Sequence, residues 1–212
     1  MENKKDLYNQ NKEHKKMKIE IPPNLNTEEI KCFNEIVKPQ LEGLYSYSYD
    51  KFEFKHVKIS ISKDKFPDKK SNIEEINNIL NKIPKKHLKF VSDIYFVSYN
   101  CKDETDNYLV NGRTLPIIYK IIIYPRGHKK LEIALIHEIG HVIYAKKLNP
   151  TERKNFAFRL LGTFRGLQFN SSAELNLYIE EQFALCYDNY INNQDGLKEF
   201  PMIYNFFIEY LG

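Results

Sequence analysis

Apolar positions recur along this chain with two different periods, and the change of period divides it. In "NTEEIKCFNEIVKPQLEGL" Ile30, Phe33 and Ile36–Val37 return at helical spacing, with Asn26 or Thr27 as the cap and Gly43 as the stop. "KFEFKHVKISIS" then alternates Phe52, Phe54, His56/Val57, Ile59 and Ile61, a strand period with a slip near His56. "SNIEEINNILNKI" reads as a helix capped by Ser71 and ended by Pro84, and "LKFVSDIYFVSYN" as a β-branched and aromatic strand. The Asn111–Gly112 pair predicts a turn, followed by an apolar strand from Ile117 to Tyr124. From Lys129 onward the period is helical, giving helices at roughly 129–147, 151–162, 173–192 and 200–210. Strands in the first half and helices in the second predict an α+β fold with a small mixed sheet. No internal repeat is visible. The expected organisation is a basic, disordered tail over 1–22 and a single domain over 23–212, with lobes at about 23–127 and 128–212.

Composition narrows the function classes. Hydrophobic residues make up 42% of 212 positions and aromatics 14%, enough for a substantial core. A net charge of +4 is too mild to predict a nucleic-acid partner. Cys32, Cys101 and Cys186 lie far apart without a CxxC pair, so neither a thiolate zinc site nor a disulfide framework is indicated, and ordinary buried thiols are expected. The Lys-rich start lacks the apolar stretch of a secretory leader, and no run approaches a membrane span. A cytoplasmic location therefore stays open on the residues alone.

The chemistry concentrates in "LIHEIGHVIYAK". His137 and His141 are four apart, which places both imidazoles on one face of a helix. Neutral imidazoles so placed can each give a nitrogen to one Zn²⁺ at about 2.0–2.1 Å. Glu138 lies about 100° round the helix, beside rather than on such an ion, where it can take a proton from water as a general base. Gly140 leaves room for another segment to approach. This is the HExxH zinc-peptidase motif, expected by chance on the order of one time in a hundred in such a chain. The helix around it is apolar, and two histidines and a glutamate left unpaired there would be costly. The competing reading is a buried helix whose histidines are satisfied core residues.

A catalytic zinc site takes a third protein ligand and keeps one position open. His14 lies in the tail and His128 at the start of the same helix, while His56 and His87 read as surface or edge residues. The better source is "SSAELNLYIEEQFALCYDNYI", capped by Ser171 or Ser172, with Glu174, Glu180 and Glu181 as the options. Phe183, Ala184, Tyr187 and Ile191 form its packed face, and periodicity does not separate Glu180 from Glu181.

"HEIGHVI", "EEQFALCYDNYI" and the closing "LKEFPMIYNFFIEYL" together resemble the catalytic domain of the anthrax lethal factor-like zinc metallopeptidases, a group that includes the secreted Pro-Pro endopeptidases. The resemblance covers roughly 115–212. It implies a zincin-like fold, a Zn²⁺ cofactor held by His137, His141 and Glu181, and Glu138 as the catalytic residue. Glu181 is picked because the family's third ligand stands two residues before a Phe–Ala pair, here Phe183–Ala184. The family carries a Tyr seven residues before that ligand, where this chain has Glu174, and Tyr178 is the nearest substitute. Many members carry a second Glu four residues after it, where this chain has Leu185. Cytosolic proteases of the ImmA/IrrE type are similar more weakly and usually accompany a DNA-binding module, of which no helix-turn-helix pattern is evident here.

The expected function is hydrolysis of peptide bonds in a protein substrate by a monomer, secreted or delivered as the family is. The substrate would lie antiparallel to an edge strand; the Ile117–Tyr124 run is either that strand or plain sheet core, and "YPRGHKK" is either a rim loop or a solvated turn. The alternative is a zinc-binding toxin or effector module that binds a protein partner without cutting it.

Overall fold

The computed structural model describes residues 19–63, 69–97, 112–124 and 131–212, with the backbone alone over 69–72. The basic tail to residue 18, His14, Cys101, Asn111, His128 and the "YPRGHKK" turn beyond Tyr124 lie outside the described residues. The rest forms two compact units, one ending at Ser46 and the other running from Tyr47 to Gly212.

The first unit is one helical run: α1 (Thr27–Cys32), a π-helical turn (Phe33–Val37) and α2 (Lys38–Tyr45). Asn26 is the cap. Its side chain accepts from Glu29 N at 2.9 Å, and the Glu29 carboxylate accepts from Asn26 N at 2.8 Å, a reciprocal capping box. Gly43 does not stop the helix, which continues to Tyr45. The wide turn stands just ahead of Pro39, whose ring lacks an N–H and crowds the preceding turn.

The second unit holds a five-stranded mixed sheet and seven helices among the described residues: β1 (Tyr49–Phe54), β2 (Val57–Ser62), α3 (Lys69–Lys82), α4 (Lys85–Leu88), β3 (Asp93–Phe96), β4 (Gly112–Thr114), β5 (Ile121–Ile123), α5 (Leu131–Lys146), α6 (Pro150–Thr163), α7 (Ser172–Asn192), α8 (Gln194–Lys198) and α9 (Pro201–Leu211). The architecture is α+β, with a mostly helical second half. The slip near His56 is a two-residue hairpin turn joining β1 to β2, with Lys55 at φ 58°. Ser71 lies inside α3 rather than capping it.

The strand expected over Ile117–Tyr124 is the largest difference. Its first half is a turn. Pro116 opens it, Ile117 and Tyr119 take positive φ (69° and 51°), and Tyr119 N bonds Leu115 O at 2.8 Å. The sequence period could not show this, because the turn is as apolar as the strand after it. The strand order is β1-β2-β3-β5-β4, so β5 is interior, parallel to β3 and antiparallel to β4. It therefore has no free edge for a peptide. The outer strand on that side, among the described residues, is the short β4.

One sheet face, carrying Ile59, Ile61, Ile94, Phe96, Ile121 and Ile123, joins a core with Ile76 and Leu80 of α3 and Leu135, Ile139 and Val142 of α5. The core continues into an aromatic cluster. Phe156 stands edge-on to Phe183 at 5.1 Å between ring centres, and Phe183 stacks on Phe207 at 5.2 Å. "YNFFIEY" supplies core through Phe206 and Phe207, while Met202 and Ile208 of α9 stay exposed.

His87 corrects the expectation of a surface or edge residue: it is fully buried. Its Nε2 lies 3.2 Å from Leu211 O and its Nδ1 2.9 Å from the Tyr187 hydroxyl. A neutral ring satisfies both, donating to the carbonyl and accepting from the phenol. Lys147 bonds Tyr210 O and Lys86 bonds Gly212 O, so three basic side chains complete the last carbonyls of α9. Burial, then the Lys147 charge, pulls the His87 pKa from 6.5 to about 4. The unfolded chain thus takes up this proton first as pH falls. The His87 contribution to stability should be complete above pH 6.5 and decline as pH drops towards 4, by about 3 kcal/mol in all. Urea unfolding across that window should show the decline, and His87→Gln should remove it. The same slope in the variant would assign the decline elsewhere. His56 is exposed, and its Nε2 lies 2.8 Å from Leu88 O.

Candidate metal centre

α5 carries the motif and is nearly buried along its length, with Leu135, Ile136, Ile139, Val142 and Ile143 inaccessible. The helix period puts His137 and His141 on one side, with ring centres 4.8 Å apart. α7 begins at the Ser171 cap, whose side chain accepts from Glu174 N at 3.1 Å. It crosses α5 where Gly140 meets Ala184. A Cβ on Gly140 would lie 2.8 Å from Ala184 Cα, so the absence of a side chain sets how closely the helices approach. That crossing brings the acidic pair of α7 over the imidazoles.

His137 Nε2 and His141 Nε2 are 3.2 Å apart. The two carboxylate oxygens of Glu181 lie 3.4 Å from them, one against each nitrogen. Glu180 stands on the other side of the same ring, with Oε1 3.3 Å from His141 Nδ1. A proton on Nδ1 donated to Glu180 leaves the Nε2 lone pair directed at His137 and Glu181. Burial acts to lower the His141 pKa. The Glu180 hydrogen bond and the charges of Glu138, Glu181 and Glu180 outweigh it, and the net shift is upward. Three carboxylates, those of Glu138, Glu180 and Glu181, thus act on this imidazole. The two imidazoles are 13% and 11% exposed and the Glu181 side chain 46%, so the site opens on the Glu181 side.

Glu138 is buried behind the histidines, and burial raises its pKa against the opposing influence of His141, His137 and the Thr114 hydrogen bond. Thr114 Oγ1 lies 2.8 Å from Glu138 Oε2 and 3.0 Å from Glu138 O. A Cβ on Gly112 would sit 2.8 Å from Glu138 Cγ. β4 therefore packs directly on Glu138. Sequence reasoning missed Gly112 and Thr114 as site residues because "GRT" is too short to carry a period. The Asn111–Gly112 turn signal pointed to a loop, whereas Gly112 opens the strand.

The ligand atoms of His137, Glu138 and His141 all lie within 4.8 Å of one another, and this group could hold a metal ion. Ligands at about 2.0–2.1 Å from a tetrahedral ion stand about 3.3–3.4 Å apart. The spacings among His137 Nε2, His141 Nε2 and the Glu181 oxygens, 3.2–3.4 Å, fit that requirement. Among the described residues His137 Nδ1 is buried without a hydrogen-bond partner.

The other nominated residues lie elsewhere in the arrangement. Glu174 accepts from Asn170 N at 2.7 Å at the start of α7. Tyr178 stands one turn before Glu181, with its ring against Phe169 at 5.2 Å. The half-buried Cys186 thiol is pushed up to about 12 by burial, which leaves it unreactive. Cys32 is half-buried as well. No described helix is long and apolar enough to cross a membrane.

Comparison of the chain with protein-family models, with curated proteins and with solved structures gives no match in any of the three.

Proposed function

We propose that the protein is a zinc-dependent endopeptidase that hydrolyses peptide bonds of a protein substrate, with a zincin-like fold and a site like that of the lethal factor-like metallopeptidases. The observation that carries this reading is the 3.2–3.4 Å spacing of two imidazole nitrogens and the Glu181 oxygens, beside a buried glutamate anchored to an outer strand. His137, His141 and Glu181 would hold the ion, and Glu180 would orient His141. Zn²⁺ in such a site supplies Lewis acidity towards a carbonyl oxygen and lowers the pKa of water to about 7.

The chain's own residues supply the rest. Glu138 takes the proton of the attacking water and passes it to the leaving amine. Burial makes this carboxylate a stronger base than an exposed one, and the Thr114 hydroxyl holds it in one orientation. A substrate in extended form would lie antiparallel to β4 and take main-chain hydrogen bonds from it.

A second reading keeps the metal and drops the cutting. Glu174 occupies the position of the family's Tyr and is engaged in bonding Asn170, so it offers no phenol to a developing oxyanion. The protein would then be a zinc-binding effector that only binds a partner.

Elemental analysis of purified protein, paired with cleavage of a randomised peptide library, tests both. One zinc per chain and cleavage abolished by a chelator, then restored by zinc, is the expected result. Zinc without cleavage of any peptide would favour the binding module. No zinc uptake would return the two histidines to the helix core.

A further inference from the structure

We propose that Arg113 selects the substrate: the peptide accepted along β4 carries an acidic side chain opposite this arginine. The inference rests on the peptidase reading and names the class of peptide it would take.

The hydrogen-bond pattern of β4 carries the argument. Gly112, Arg113 and Thr114 pair with Ile123, Ile122 and Ile121. Leu115 N donates to Lys120 O at 2.9 Å, so the next pair in that register, Leu115 with Lys120, is a hydrogen-bonded one. Pairs alternate in an antiparallel ladder. Arg113 therefore directs its N–H and C=O at β5, while Gly112 and Thr114 direct theirs outward, at the outer edge of the sheet among the described residues. Val97 N bonds Ile123 O at 3.0 Å, which turns the Ile123 main chain towards β3 and agrees with this alternation. An incoming strand would find its main-chain partners at Gly112 and Thr114, the two residues packed on Glu138.

Side chains alternate faces along a strand. Gly112 and Thr114 face Glu138, so the Arg113 side chain leaves from the opposite face. It is half-buried, and among the described residues it makes neither an ion pair nor a side-chain hydrogen bond. The nearby cation Lys120 is already matched by Asp93 at 3.2 Å. Because Arg113 points its backbone inward, a strand added antiparallel outside β4 would meet it in a non-hydrogen-bonded pair. That is the closer of the two pair types, with Cα atoms about 4.5 Å apart. A carboxylate at that position can engage the planar guanidinium with two parallel hydrogen bonds, and a lysine or arginine would be repelled.

The test uses zinc-loaded full-length protein and two probes. The first is a randomised peptide library with cleavage products read by mass spectrometry. Asp and Glu should be enriched at one fixed distance from the cut, Arg113→Gln should flatten the enrichment, and Arg113→Glu should turn it to Lys and Arg. The second is binding to zinc-loaded Glu138→Gln protein of labelled alternating-valine peptides with a single central Glu or Lys. The Glu peptide should bind about 3- to 30-fold tighter, less so at high salt, with the order reversed in Arg113→Glu. Cleavage with no charge preference, or a preference unchanged in Arg113→Glu, would overturn this inference and leave the peptidase reading in place. Charge-selective binding with no cleavage would remove the peptidase reading and leave Arg113 selecting an acidic bound peptide instead of a substrate, and absence of both would remove both.

Discussion

Replacing Glu181 by Ala should remove zinc from the protein, lowering affinity by about a hundredfold or more, while Glu180→Ala should lower it about 10- to 100-fold. The two residues are adjacent glutamates, so residue type alone predicts equal losses. Geometry predicts unequal ones. Glu181 presents its oxygens to both Nε2 atoms at 3.4 Å, whereas Glu180 touches only Nδ1 of His141. On the proposed reading, removing Glu181 would take away a ligand, and removing Glu180 would loosen the orientation of one. Competition with a chromogenic zinc chelator measures both constants. A larger loss in Glu180→Ala would exchange the two roles. Equal small losses in both would point to Glu138 as the third ligand, a role its place in the same His–Glu–His group makes available.

Glu138→Gln should keep one zinc per chain and lower kcat about a hundred- to ten-thousand-fold, the usual share of a general base. Glutamine has the same shape, and its amide oxygen can still accept from Thr114 Oγ1. What it lacks is a site for the transferred proton. The metal-free variant should be at least as stable as the parent, because a carboxylate buried in this helix carries a desolvation cost that the amide largely avoids. Thermal unfolding without zinc checks that point, and zinc titration beside single-turnover cleavage checks the other. Full activity in the variant would remove Glu138 from the chemistry. Loss of zinc would make it a ligand instead of a base.

What the sequence determined by itself was local. Residues four apart on a helix share a face whatever surrounds them, so His137 and His141 could be placed together from spacing alone. The α7 start was legible for the same reason, since the Ser171 cap needs only its own next turn. Long periodic segments came out close to their observed bounds, as α6 and α9 show.

Tertiary structure decided everything that depends on how separate segments meet. Glu180 and Glu181 are one residue apart, and periodicity does not choose between them. The choice of which lies over the Nε2 atoms follows from where α7 meets α5, at the close approach of Gly140 and Ala184. The place of β5 inside the sheet was hidden too, because an apolar run reads alike as an interior strand, an edge strand or an apolar turn. Only the pairing with β3 on one side and β4 on the other distinguishes them. His87 looked like a surface residue among lysines and lies buried because Tyr187 and Leu211, a hundred or more positions away, supply both of its hydrogen bonds. Short-range geometry is written in short-range spacing, whereas the partners of a buried polar group are set by packing between distant segments.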